Sequence, residues 1–146
     1  EVVINARKQS DFDWFALDTL RITTSADRAP GHRLNFPYTM YPNEKLISLN
    51  GKYMATYQTD GNFVVYDISS RPYKPIWSIQ HNVVNPHSMR FHRNTIYASH
   101  FNGRAYRRYW EATFPLFVSY IIMQNNGSLA LFTSAHELVH QTPAAP

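Results

Sequence analysis

Cysteine is absent from this chain of 146 residues. That removes disulfides and thiolate chemistry, and it leaves the redox compartment open, because a cysteine-free chain suits the cytosol as well as secretion. Charge is sparse: Asp, Glu, Lys and Arg make up 16% of residues, with a formal net charge of +4. Long apolar runs are missing too. The longest, Phe114 to Met123, is broken by Pro115, Ser119 and Tyr120, so no segment reads as a bilayer-spanning helix. No helical apolar period persists along the chain. The makings of an enzyme are also lacking. No Ser-His-Asp or Cys-His set assembles from the sequence, and Asp60 has no second carboxylate near it for glycosidase chemistry. The chain therefore reads as non-catalytic, with no cofactor implied.

What remains is aromatic and strand-forming. Nine Phe, ten Tyr and three Trp supply bulk for one packed domain plus an extension. Short alternating runs separated by Asp60-Gly61, Asn102-Gly103 and Asn126-Gly127 predict an all-β chain, since these pairs supply the positive φ angles of tight hairpin turns. The clearest hairpin joins Tyr53-Met54-Ala55-Thr56-Tyr57 to Phe63-Val64-Val65-Tyr66. Alternation puts Asn62, Val64 and Tyr66 on one strand face and Phe63 and Val65 on the other. Gln58 reaches toward the first face across the turn. Gln58, Asp60 and Asn62 then offer short planar donors and acceptors with one formal charge. That suits a neutral polyhydroxylated ligand better than a phosphate, which calls for Arg, Lys or a run of N–H groups.

The spacing Gln58-x-Asp60-x-Asn62-x-Val64-x-Tyr66 resembles the sugar-binding signature of the bulb-type (monocot) mannose-binding lectins at all five positions. The flanks Leu46 to Tyr53 and Lys74-Pro75-Ile76-Trp77-Ser78 resemble the strands on either side of it. The resemblance implies a β-prism II fold: three pseudo-repeats, each a four-stranded sheet. It implies hydrogen bonds to mannose from Gln58, Asp60, Asn62 and Tyr66, and apolar contact from Val64. A third copy reads Gln124, Asn126, Ser128, Ala130 and Phe132, and a middle copy keeps Asn94 and Ile96. Asn94, Gln124 and Asn126 are thus candidates for degenerate second and third sites. The expected division is an N-terminal extension over 1–33, a lectin domain over 34–133 and a C-terminal tail over 134–146. Thr142 to Pro146 is expected to fray.

Departures from the family pattern are informative. The family often has a core disulfide, which this chain cannot form. It tends to place a tryptophan in each repeat; Trp77 and Trp110 serve two, and Trp14 is the candidate for the third. The resemblance further implies mannose-containing glycans or glycoproteins as partners, a homo-oligomer and a secreted protein. The start at Glu1-Val2-Val3 fits a cleaved or trimmed chain, and Asn126-Gly127-Ser128 is a glycosylation sequon.

Two other constellations compete. His136-Glu137-Leu138-Val139-His140 matches the zinc-protease pattern, which needs a helix to bring both histidines to one face. Only six residues follow His140, none of them His, Asp or Glu, so the third protein ligand of a catalytic zinc is missing and no metal is expected beyond incidental binding at His136 and His140. The second is basic: Arg71, Lys74, Arg90, Arg93, Arg104, Arg107 and Arg108 are half of the 14 Lys and Arg, with no acid between Asp67 and Glu111. This gives the alternative function, an interaction protein on a lectin scaffold that holds anionic partners, anionic glycans among them, through an Arg/Tyr-rich surface. Strand alternation, however, would divide these charges between two faces.

Overall fold

The computed structural model describes residues 31–146. Trp14 and the segment 1–30, with the expectations placed on them, lie outside the described residues. Twelve strands form three four-stranded antiparallel sheets. Three short strands come first, β1 (Arg33–Asn35), β2 (Tyr38–Met40) and β3 (Lys45–Ile47). Three meanders follow: β4 (Tyr53–Tyr57), β5 (Phe63–Asp67) and β6 (Lys74–Ser78); β7 (Pro86–His92), β8 (Thr95–Phe101) and β9 (Tyr106–Thr113); β10 (Tyr120–Met123), β11 (Leu129–Phe132) and β12 (Leu138–Gln141). Each short strand completes a different sheet, giving the orders β3-β4-β5-β6, β2-β7-β8-β9 and β1-β10-β11-β12. This is the three-sheet arrangement of a β-prism. Among the described residues no helix is long and apolar enough to cross a membrane.

The registers repeat, and that is why one core serves all three sheets. Leu46, Ala55 and Val65 lie side by side across the first sheet. Met40, Met89 and Ala98 do so across the second, and Leu34, Ile121 and Leu131 across the third. All nine are buried in one hydrophobic cluster. A second layer pairs Tyr57 with Phe63, Phe91 with Ile96 and Met123 with Leu129, and these six are buried as well. Since side chains alternate, burying one face of each strand fixes its register. Truncating a residue such as Leu34 to Ala would remove packing from three directions, at about 2–5 kcal/mol.

These registers correct the reading of the middle repeat. Five residues separate Tyr57 from Phe63 and Met123 from Leu129, but only four separate Phe91 from Ile96. The middle hairpin is one residue short. Ile96 therefore occupies the core place of Phe63, not the place of Val64. Tyr97 stands at the Val64 position and Thr95 at the Asn62 position, so Asn94 is not the counterpart of Asn62. Bulges fall at equivalent points, after Val65, Ala98 and Leu131. Opposite those residues stand Trp77, Trp110 and His140; the two tryptophans pack against the core, while His140 at the third position is exposed.

The C-terminal segment also departs from expectation. Residues 138–141 are a sheet strand, and the chain beyond them is docked. Thr142 is buried. Its N–H donates to the Leu129 carbonyl at 3.0 Å, and its hydroxyl accepts from the Leu129 N–H at 2.8 Å. The Ala145 N–H donates to the Asn126 carbonyl at 2.9 Å. These bonds satisfy a backbone donor that would otherwise be buried without a partner, so the tail does not fray.

Candidate functional site

The turn between β4 and β5 is built from its own side chains. The Gln58 N–H donates to the Asn62 carbonyl at 2.9 Å, and the Gly61 N–H to the Gln58 carbonyl at 2.9 Å. The Asn62 N–H donates to Asp60 Oδ1 at 2.9 Å, a side-chain turn of the kind Asp favours. Gly61 has φ of +86° and is closed over from outside: an added Cβ would lie 2.6 Å from Val83 Cγ2. The Val83 N–H donates to the Asp60 carbonyl at 2.9 Å, and the Tyr109 hydroxyl donates to the Gly61 carbonyl at 2.6 Å. The turn is thus latched by the segment after β6 and by a tyrosine from the neighbouring sheet.

On this frame the sequence-predicted residues gather at one end of the outer sheet face. Gln58 Nε2 donates to the Tyr66 hydroxyl at 2.6 Å. That bond orients the amide and leaves the phenol proton and the Gln58 Oε1 acceptor for a ligand. Asp60 is exposed, and its turn bond uses only Oδ1. Asn62 Oδ1 accepts from the Gln80 N–H at 3.1 Å, so its amide group is what it can offer outward. Val64 is only 4% exposed, which limits the apolar contact expected of it. The site therefore presents donors from Asn62 and Tyr66 and acceptors from Asp60 and Gln58, with a single charge.

Several neighbours were not anticipated. Tyr73 lies beside Tyr66, ring centroids 6.4 Å apart, and the Arg71 guanidinium sits 4.9 Å over the Tyr73 ring. The pair Arg71 and Tyr73, in the loop right after the motif strand, was the readable signal. Gln80, Val83 and Tyr109 are distant in sequence, and no local pattern marks them. At the strand exit, the Ser69 hydroxyl and N–H both donate to Asp67 Oδ1. The Ser69 hydroxyl foremost holds the Asp67 carboxyl below its usual range.

The third repeat keeps the same backbone and loses the chemistry. The Gln124 N–H donates to the Ser128 carbonyl at 3.0 Å, and the Ser128 N–H to Asn126 Oδ1 at 2.9 Å. Ala145 and the Tyr53 ring crowd Gly127 as Val83 and Tyr109 crowd Gly61. Ser128, however, is 1% exposed and turns its hydroxyl inward to the Thr142 carbonyl. Phe132 stacks on Tyr120 at 5.1 Å. A cleft of about 310 Å³ remains beside Asn126, walled by Gln141 to Ala144. In the middle repeat Asn94 Nδ2 donates to the Phe114 carbonyl at 3.1 Å, away from any sugar-site geometry.

The histidine motif does not form a helix. His136 lies in a turn, where Nδ1 bonds the Tyr120 hydroxyl at 2.6 Å. His140 lies on β12 beside Leu131 and against Phe114. Both imidazoles are exposed, and they pack on different rings, His136 on Tyr120 and His140 on Phe114. Among the described residues no three His, Asp or Glu side chains are placed to share a metal ion.

Comparison with known proteins places this fold. The chain has the β-prism II fold of the bulb-type lectins. It resembles the Marasmius oreades lectin with a TM-score of 0.59 at 18% identity, over 78% of this chain and 92% of that one. A monomeric monocot mannose-binding lectin from Gastrodia elata gives 0.59 at 19% identity, over 75% and 94%. The Polygonatum cyrtonema lectin, solved with a monomannoside, gives 0.54 at 18% identity, over 79% and 98%. At these identities the likeness is one of fold. No family model and no curated protein sequence matches the chain.

Proposed function

We propose that this chain is a non-catalytic carbohydrate-binding protein of the bulb-lectin kind, taking a mannose-type glycan at the β4–β5 turn. Asp60 and the Gln58 amide oxygen accept from sugar hydroxyls, while Asn62 and Tyr66 donate to them. The observation that carries the reading is the 2.6 Å bond from Gln58 Nε2 to the Tyr66 hydroxyl. It sets both side chains on the face where the Asp60–Asn62 turn ends. A site that pairs hydroxyls in this way rejects a sugar that leaves one of its groups unpaired. The Gastrodia elata mannose-binding lectin and the Polygonatum cyrtonema lectin solved with a monomannoside, which share the fold, support the choice of sugar.

One shallow site of this kind binds at about millimolar affinity, since each hydrogen bond replaces one to water. Useful avidity then needs several sites held together in an oligomer, and a glycoprotein ligand implies a protein that acts outside the cell. A glycan array with the wild-type chain and Asp60→Ala tests the reading. Binding to mannose-terminated glycans that disappears in the variant supports it, and binding that is absent or unchanged contradicts it.

A further inference from the structure

The outer face of the second sheet lies where the first sheet carries its sugar residues, but its chemistry is different. Across it run the rows Thr39–Arg90–Tyr97–Glu111, Ser88–Ser99–Arg108 and Phe101–Tyr106. By register, Arg90 and Tyr97 replace Thr56 and Val64, while Ser88 and Ser99 replace Met54 and Tyr66. The Arg108 guanidinium lies 3.7 Å over the Tyr97 ring, which fixes its plane while leaving donors on its rim. Next to it the rings of Tyr41, His87, Tyr106 and Phe101 form a continuous line, with successive centroids 5.8, 4.6 and 5.2 Å apart. Tyr106 is 61% exposed and Phe101 37%, so the end of that line is open to solvent. Beneath it the small Ser88 and Ser99 are buried, their hydroxyls 3.4 Å apart.

We propose that this face is a second saccharide site, one that takes a sugar carrying a sulfate or carboxylate group. Tyr106 supplies a ring for the apolar face of a pyranose, and Arg108 and Arg90 hold the anionic substituent. Arginine is suited to this because its planar fork meets a carboxylate or sulfate with two parallel hydrogen bonds. Charge complementarity favours the anion: no acid occurs between Asp67 and Glu111 in the sequence. Among the described residues the one acid in these rows, Glu111, lies 3.3 Å from Arg108. Arg104, in the turn between β8 and β9, adds to the local positive potential. The site uses none of the residues at the β4–β5 turn, so the mannose reading can fail without affecting it.

The test is titration of the full chain with a heparin-derived tetrasaccharide, using wild type, Tyr106→Ala, Arg108→Lys and Asp60→Ala. Wild type binds. Tyr106→Ala and Arg108→Lys each weaken binding about tenfold or more, the Lys variant because it keeps the charge but not the fork, and Asp60→Ala leaves it unchanged. Tyr106→Phe, which keeps the ring, restores it. The proposal is overturned by absence of binding to wild type. It is also overturned by full binding in Tyr106→Ala, which would reduce the effect to diffuse charge attraction, or by tighter binding of single-stranded oligothymidine than of the tetrasaccharide.

Discussion

The hydroxyl oxygens of Tyr57 and Tyr109 lie 2.8 Å apart, joining the first repeat to the second at the edge of the candidate sugar site. Tyr109 directs its own proton to the Gly61 carbonyl, so Tyr57 is the donor in the pair. Replacing Tyr109 by Phe removes both bonds and leaves the buried Tyr57 hydroxyl without its acceptor. A loss of stability of about 1–3 kcal/mol is expected. Glycan binding at the proposed site should weaken as well, although Tyr109 is not among the residues proposed to meet the sugar, because the turn that carries Asp60 loses its latch. Urea unfolding and a mannoside titration measure the two effects. Unchanged stability would show that the latch is dispensable.

The same pair sets an alkaline limit. Burial, and for Tyr57 donation to Tyr109, raise the pKa of Tyr57; burial chiefly raises that of Tyr109. The folded state thus keeps both phenols protonated where the unfolded chain ionises them. Their stabilising contribution is complete below the ordinary tyrosine pKa of about 10 and declines as pH rises above it. Stability measured from pH 8 to 11 should fall more steeply in wild type than in a Tyr57→Phe, Tyr109→Phe double variant.

At the acidic side His32 acts. Burial, with the Arg33 charge second, lowers its pKa, so folding favours the neutral imidazole. Its contribution is present above the ordinary histidine pKa of about 6.5 and is lost as pH falls below it. His32→Gln should flatten the stability profile between pH 7 and 5, and identical profiles would contradict this.

Docking of the C-terminus predicts that Thr142→Val, which keeps the shape and removes the acceptor for the Leu129 N–H, costs about 1–3 kcal/mol. A thermal melt no different from wild type would return the tail to the frayed state expected from sequence.

Much of this was legible in the chain. Asp60-Gly61 and Asn126-Gly127 mark two hairpins whose backbones match bond for bond, and alternation around Val65 and Leu131 points the right side chains inward. The middle repeat was harder because its turn lacks one residue. Placing Asn94 against Asn62 preserves a chemical likeness but would put Ile96 outside the core, and burial decides against it. The tail misled because Pro143 to Pro146 has the small, apolar composition of a loose end, while its anchors, Thr142 and Ala145, bond to Leu129 at the start of β11 and to Asn126 in the turn before it. Tyr109 and Val83 are invisible for a related reason: a latch between distant segments leaves no local pattern. That His140 stands at the register position of the two tryptophans could be read only from the strand pairing.

The most direct measurement is titration of wild type and Asp60→Asn with methyl α-mannoside. The third repeat shows that an Asn at this position supports the turn, since Asn126 Oδ1 accepts the Ser128 N–H at 2.9 Å. The variant therefore keeps the fold and removes the charge. Saturable binding to wild type that weakens about tenfold to a hundredfold in Asp60→Asn, with equal melting temperatures, is the predicted result. Equal affinity in the two proteins, or no binding to either, would contradict the account.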